Sequence, residues 1–153
     1  MIIEISKVPS NPNYVGEESA SLLELDGRLV KAEGPIQYDL TAEIVSRELI
    51  VRGTLKLRLA VECGRCLDFF STNLEVSSFL RAYAVPEGTE IIDITGDIRE
   101  EILLNLPFFP VCRPECKGLC PRCGKNLNEG PCSCKPSEGK EGNWSALDNL
   151  KLE

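Results

Sequence analysis

The chain has 153 residues, 42% of them hydrophobic and 27% charged, enough for one ordinary core with a small appended module and too little for two full-sized domains. A formal net charge of -7 argues against a protein that coats nucleic acid by bulk attraction, and a sequence without histidine holds no Ser-His-Asp triad. The opening MIIEISKVPS has neither a basic leader nor a long apolar run, and no stretch approaches the roughly 20 apolar residues of a membrane span, so a cytoplasmic protein without a membrane partner is expected.

Residues 1–30 read as strand and loop. From residue 36, IQYDLTAEIVSR alternates apolar with polar side chains, and the residues around Ser46 to Glu48 suit a reversal into an antiparallel partner. That partner, LIVRGTLKLRLAVE, carries the clearest period of two: Leu49, Val51, Leu55, Leu57, Leu59 and Val61 point to a core, with Gly53 marking a bulge or a close backbone approach. Next, FFSTNLEVSSFLRAYAV places Phe70, Leu74, Val76 and Leu80 in phase and completes a meander of three long strands. A helix follows near 97–106, with Asp97 as N-cap, Ile98, Ile102 and Leu106 on one face, and Pro107 as its stop. Beyond the cysteine-rich stretch, the polar linker KPSEGKEG leads to NWSALDNLKL, where Trp144, Leu147 and Leu150 at spacing three predict a second short helix.

The expected fold is therefore α+β and predominantly antiparallel β, a meander or partial barrel with one or two short helices and an appended cysteine-rich, zinc-ribbon-like module. Its expected boundaries are a β-rich body over 1–110, a metal module over 111–134 packed on that body, and a linker with a short helix over 135–153.

Eight cysteines carry the chemistry. In a reducing compartment they are better explained by metal than by disulfides. Cys63 and Cys66 form CGRC where the alternating strand must reverse, aiming two sulfurs at one point. Cys112 and Cys116 follow the helix, Cys120 and Cys123 form the knuckle CPRCG, and Cys132 and Cys134 form a C-x-C pair. One division joins Cys120, Cys123, Cys132 and Cys134 locally and leaves Cys63 and Cys66 to meet Cys112 and Cys116, a long-range staple. The other joins Cys112, Cys116, Cys120 and Cys123. Consecutive pairing makes the simpler local ribbon and favours the first.

Four thiolates with no histidine fill every position of a tetrahedral ion, so two structural zinc ions are expected, with an iron–sulfur cluster as the second choice. Each such zinc site carries a charge of about -2, which Arg65, Lys117, Arg122 and Lys125 lie close enough in sequence to offset. A reactive dithiol at CGRC needs a helix N-terminus to lower its pKa, whereas the residues after Cys66 alternate like a strand. No phosphate-binding glycine loop is present, and Glu100 and Glu101 read as the solvated face of the helix, so neither an enzyme nor a small-molecule substrate is expected.

Charge is unevenly distributed. Arg47 to Cys66 holds five basic and two acidic residues, a balance of +3; Leu67 to Asn105 holds two and eight, a balance of -6; Cys112 to Lys135 holds five and two, again +3. Arg52, Lys56 and Arg58 fall on one strand face at a spacing of about 7 Å, suited to successive phosphates and equally to an ordinary solvated face. Arg65, inside the first knuckle, either orients the site or offers its guanidinium to phosphate. Aromatic residues make up only 6% of the chain, which favours backbone or protein contact over extensive base stacking.

The ordered series RGTLKLRLAVECGRC, a helix leading into LPFFPVC, CKGLCPRCGKNLN, the CSC pair and a final WSALDNL resembles the YceD family of large ribosomal RNA subunit accumulation proteins, from about residue 34 to the end. The resemblance implies a bacterial cytoplasmic factor for large-subunit RNA accumulation or assembly, and hence ribosomal RNA, a large-subunit ribosomal protein or an assembly factor as partner. It implies no catalytic mechanism. A redox-responsive regulator, in which one thiolate site releases zinc on oxidation, is the alternative from another functional class.

Overall fold

The computed structural model describes residues 1–25 and 27–134. The predicted helix over NWSALDNLKL lies outside the described residues. Among the described residues, seven strands precede one α-helix: β1 (Ile2–Glu4), β2 (Asn13–Glu18), β3 (Val30–Ala32), β4 (Ile36–Val45), β5 (Glu48–Glu62), β6 (Phe69–Ala84), β7 (Ile91–Asp93) and α1 (Thr95–Leu104). The 3-10 turns Ile5–Lys7 and Ala20–Leu23 link the early strands.

The fold is α+β and mostly antiparallel. The alternating strand β5 is its axis. It pairs with β4 from Glu48 to Lys56, then with β3 from Leu59 to Val61, and with β6 along its length, while β2 adds to the outside of β4. The β4–β5 reversal is the tight one expected: Val45 pairs with Glu48, and Ser46 and Arg47 both take positive φ, 48° and 69°, which matches the twist of the flanking strands. All six in-phase residues of β5 are buried, and Ile36, Leu40, Ala42, Val76 and Phe79 join them from the neighbouring strands. Ile98 and Ile102 of α1, with Ile3, Val8, Leu23 and Ile94, close that face of the sheet. Leu106 packs on the same cluster from beyond the helix end.

Gly53 is required by a close approach. A Cβ there would lie 2.1 Å from the Asp39 carbonyl oxygen and 2.8 Å from the Leu40 Cα. The register slips just beyond it, because Gly53 opposes Phe79 whereas Leu55 opposes Val76. Two residues, Ser77 and Ser78, therefore face Thr54 alone, and β6 carries a bulge. This corrects the predicted phase of β6. Phe70, Leu74 and Val76 face inward as expected, but past the bulge Phe79 is buried and Leu80 is 57% exposed.

The helix also starts differently. It spans Thr95–Leu104 rather than 97–106, and Asp97 is not its N-cap. The Asp93 carboxylate accepts from the Thr95 backbone N–H at 2.9 Å, tying the helix start to β7. Asp97 lies in the first turn, where it accepts from the Tyr83 hydroxyl at 2.7 Å and pairs with Arg81 at 3.4 Å, fastening α1 to β6. Burial and the hydrogen bond to Asp97 push the Tyr83 phenol well above its ordinary range. The chain start joins the same corner: β1 pairs with β7, Ile2 opposite Asp93, and the Met1 amino group donates to the Thr95 hydroxyl and pairs with Glu18 at 3.3 Å.

Candidate metal centre

The reversal after β5 builds the first half of a site. Cys63 N–H donates to the Asp68 carbonyl and Leu67 N–H to the Cys63 carbonyl, both at 2.9 Å, with Leu67 at φ 64°. The same loop recurs downstream. Cys120 N–H donates to Lys125 O at 2.8 Å and Gly124 N–H to Cys120 O at 2.9 Å, with Gly124 at φ 73°. Each C-x-x-C thus closes a knuckle whose next residue is left-handed, a conformation that suits glycine and strains leucine.

The eight thiols fall into two clusters, Cys63, Cys66, Cys112 and Cys116 in one and Cys120, Cys123, Cys132 and Cys134 in the other, with the sulfurs of each within 4.8 Å of one another. In the first, Cys63 Sγ lies 3.9 Å from Cys116 Sγ, and Cys66 Sγ lies 3.8 Å from Cys112 Sγ. A tetrahedral ion with metal–sulfur bonds of about 2.3 Å holds its sulfurs about 3.8 Å apart, so the donor set fits zinc. The second cluster is tighter at Cys120 and Cys132, whose sulfurs lie 3.4 Å apart. Both clusters can hold a metal ion.

Three of the four thiols of the first cluster are buried, and Cys112 is partly so. Cys63, Cys66 and Cys116 are at most 4% exposed, and Phe70 and Val111 pack against them. Its polar surroundings favour the thiolate form at two positions. Burial raises the Cys63 thiol, but backbone N–H groups of Cys112, Cys66 and Arg65 outweigh it and bring the pKa to about 6. The Asn128 side-chain amide, 3.4 Å from Cys116 Sγ, lowers that thiol as well. In the second cluster Cys123 is exposed, and the backbone N–H groups of Cys123 and Arg122 bring Cys120 to about 6.

Arg65 lies across the first cluster as a brace. Its guanidinium donates to the carbonyls of Pro114 and Cys116, each at 3.1 Å, while Gly64 N–H donates to Pro110 O at 2.8 Å. Two asparagines outside the cysteine pattern join the local ribbon to the first cluster and its loop. Asn126 donates to the Asp68 carboxylate at 2.7 Å, and Asn128, besides its contact with Cys116, accepts from Lys117 N–H at 2.9 Å. Their signal in sequence was the NLN run inside GKNLNEGP, which turn chemistry alone does not distinguish from an ordinary loop.

The strand-face cations are engaged elsewhere. Arg52 pairs with Glu43 at 3.3 Å, Lys56 with Glu75 at 3.2 Å and Arg58 with Glu33 at 3.1 Å. Each of these three positive charges thus meets a carboxylate from a neighbouring strand or its flanking loop. That arrangement lies apart from the cysteine clusters.

The family model described as Large ribosomal RNA subunit accumulation protein YceD matches residues 80–151, a narrower span than the sequence resemblance suggested. An uncharacterized protein of Mycobacterium tuberculosis is 33% identical over 150 residues, covering 86% of this chain and 72% of that one. The large ribosomal RNA subunit accumulation protein YceD of Haemophilus influenzae is 27% identical over 158 residues, covering 91% of this chain and 87% of that one. The chloroplastic YCED homolog 1 of Zea mays is 48% identical over 52 residues, covering 33% of this chain and 18% of that one. No solved structure matches the chain. Among the described residues, no helix is long and apolar enough to cross a membrane.

Proposed function

Because the chain belongs to the YceD family, we propose that it is a non-enzymatic, zinc-stabilised factor that supports accumulation of large-subunit ribosomal RNA by binding that RNA or a large-subunit partner in the cytoplasm. The observation that carries the metal part is the convergence of Cys63, Cys66, Cys112 and Cys116, at sulfur spacings of 3.8 and 3.9 Å, from two segments 46 or more residues apart. Zinc bound there supplies a fixed tetrahedral cross-link. The chain's own residues do the rest: Arg65 holds the 112–116 loop, Asn128 caps the Cys116 sulfur, and Cys112 N–H, 3.4 Å from Cys63 Sγ, stabilises a second thiolate. The domain reading follows: a body over 1–110 and a metal module over 111–134, joined through the first cluster.

The test pairs metal content with the cellular readout. Purified protein is expected to carry two zinc ions per chain, and cells lacking the protein to show a lower ratio of large- to small-subunit RNA, restored by the wild-type chain and not by Cys63→Ser. A content of one ion or none removes the two-site reading. An unchanged RNA ratio removes the ribosomal one. The exposure of Cys123 supports a second reading, in which the local cluster answers oxidants.

A further inference from the structure

Five phenylalanines divide sharply by environment. Phe79 is 1% exposed, Phe70 is packed between the two cores, and Phe69 lies under the Lys31 ammonium. Phe108 and Phe109, by contrast, are 88% and 90% exposed. They stand between Pro107 and Pro110 on the segment that leaves α1 for the cysteine module, and Gly64 N–H anchors that segment at the Pro110 carbonyl. Two adjacent rings turned to solvent forgo burial that a folded chain ordinarily takes, which marks a contact surface.

The charges beside them indicate the occupant. Among the described residues, Arg47, Arg52, Lys56, Arg58, Arg81 and Arg99 all meet carboxylates, and the side chains of Arg65 and Lys125 donate to carbonyls. Arg113, Lys117 and Arg122 are exposed and form no ion pair or side-chain hydrogen bond within the described residues. All three lie on the cysteine module, and Arg113 is four residues from Phe109, within about 14 Å even if the chain were fully extended. Exposed rings followed closely by the uncommitted Arg113, with two further uncommitted cations on the same module, match a polyanion with free π-faces. Unpaired bases stack on aromatic side chains while arginine and lysine follow the phosphates, whereas a closed A-form helix offers no base face.

We propose that Phe108 and Phe109, together with Arg113, Lys117 and Arg122, form a binding surface for single-stranded RNA, the rings stacking on bases and the cations taking phosphates. The proposal rests on the reading that the protein works with large-subunit RNA and relocates the contact from the ion-paired strand face to the edge of the metal module.

The experiment uses the metal-loaded full chain and a fluorescent 12-nucleotide single-stranded RNA of mixed sequence, with a duplex of the same length as comparison. Phe108→Ala with Phe109→Ala is expected to weaken single-strand binding at least 10-fold, since one lost base stack alone is worth roughly 5- to 150-fold, and to leave the salt slope and metal content unchanged. Arg113→Gln with Lys117→Gln and Arg122→Gln is expected to flatten the salt slope by about 2, near 0.7 for each phosphate contact on a single strand. Arg52→Gln with Lys56→Gln and Arg58→Gln is expected to bind as the wild type does. Undiminished binding by the phenylalanine variant, equal binding of the duplex, or loss of affinity in the strand variant overturns the proposal. Loss of metal with an unchanged slope in the module variant assigns those cations to the thiolates and overturns it too. A wild-type chain that restores the cellular RNA ratio yet binds no RNA strand leaves the family role standing, overturns this surface and points to a protein partner.

Discussion

The two cysteine clusters begin from the same local loop and end in different physical situations. Cys63–Cys66 and Cys120–Cys123 close the same pair of backbone hydrogen bonds, and both are followed by a left-handed residue. The first cluster then reaches across 53 residues between Cys63 and Cys116, while the second spans 12 between Cys120 and Cys132. At about 0.6 kcal/mol for each doubling of loop length, closing the longer loop costs roughly 1.2 kcal/mol more. Burial against Phe70 and Val111 accompanies that closure, and the second cluster has no comparable cover, since Cys123 is exposed. A knuckle is thus a local solution for aiming two sulfurs. What it is paired with decides whether it holds the body of the protein or only its own ribbon.

The widest separation of the two is expected from single ligand changes. Cys63→Ser is expected to release one of two metal ions and to destabilise the body by about 4 kcal/mol or more, a fall in melting temperature of roughly 8–16 °C for a chain of this size. Cys123→Ser is expected to release one ion with a shift of less than about 2 °C, because few core contacts depend on the local cluster. Metal analysis alongside thermal melting checks both, and equal destabilisation by the two would erase the distinction.

Oxidation sharpens it kinetically. Dilute hydrogen peroxide takes two electrons from two thiolates, which join as a disulfide while the peroxide oxygens leave as water. The local cluster, with Cys123 at the surface, is expected to lose its ion several-fold faster than the buried one, as followed with a zinc-sensitive dye in the wild type and Cys123→Ser. Release at one common rate would remove the support for a redox-responsive local site.

Asn128 tests how far the clusters are coupled, since it belongs to the local ribbon but donates to Cys116 of the buried cluster. Asn128→Ala is expected to weaken metal binding at the buried site by 10- to 100-fold, the usual penalty for losing a hydrogen bond to a ligand, with the local ion retained. Competition with a chelator measures it. The smallest expected effect concerns the left-handed residue itself. Gly124→Ala is expected to cost about 1 kcal/mol within the local ribbon, and Leu67→Gly to recover a similar amount of strain in the first knuckle, offset in part by the chain entropy glycine adds to the unfolded state. Metal affinity is the readout for the first and thermal melting for the second.

Short-range chemistry was legible without coordinates. The period of two in β5 specified its buried side, because adjacent side chains on a strand must face opposite ways whatever surrounds them. The C-x-x-C spacings specified knuckles for the same reason: two ligands that close in sequence have few ways to converge. Tertiary structure decided whatever depended on a partner strand. The Ser77–Ser78 bulge turned Phe79 rather than Leu80 inward, since one extra residue against a fixed neighbour reverses every side chain beyond it. The helix starts at Thr95, whose N–H donates to Asp93 of β7, a strand held by the distant β1, and local capping preferences do not register that pairing. That Arg52, Lys56 and Arg58 share one strand face followed from the period of two, but their carboxylate neighbours Glu43, Glu75 and Glu33 come from separate segments, and only the folded sheet brings them within 3.3 Å. The partition of the eight thiols belongs with these. Spacing favoured it, but the meeting of Cys63 and Cys66 with Cys112 and Cys116 required β6 and α1 to return the chain to the end of β5, a long-range closure set by core packing rather than by any local pattern.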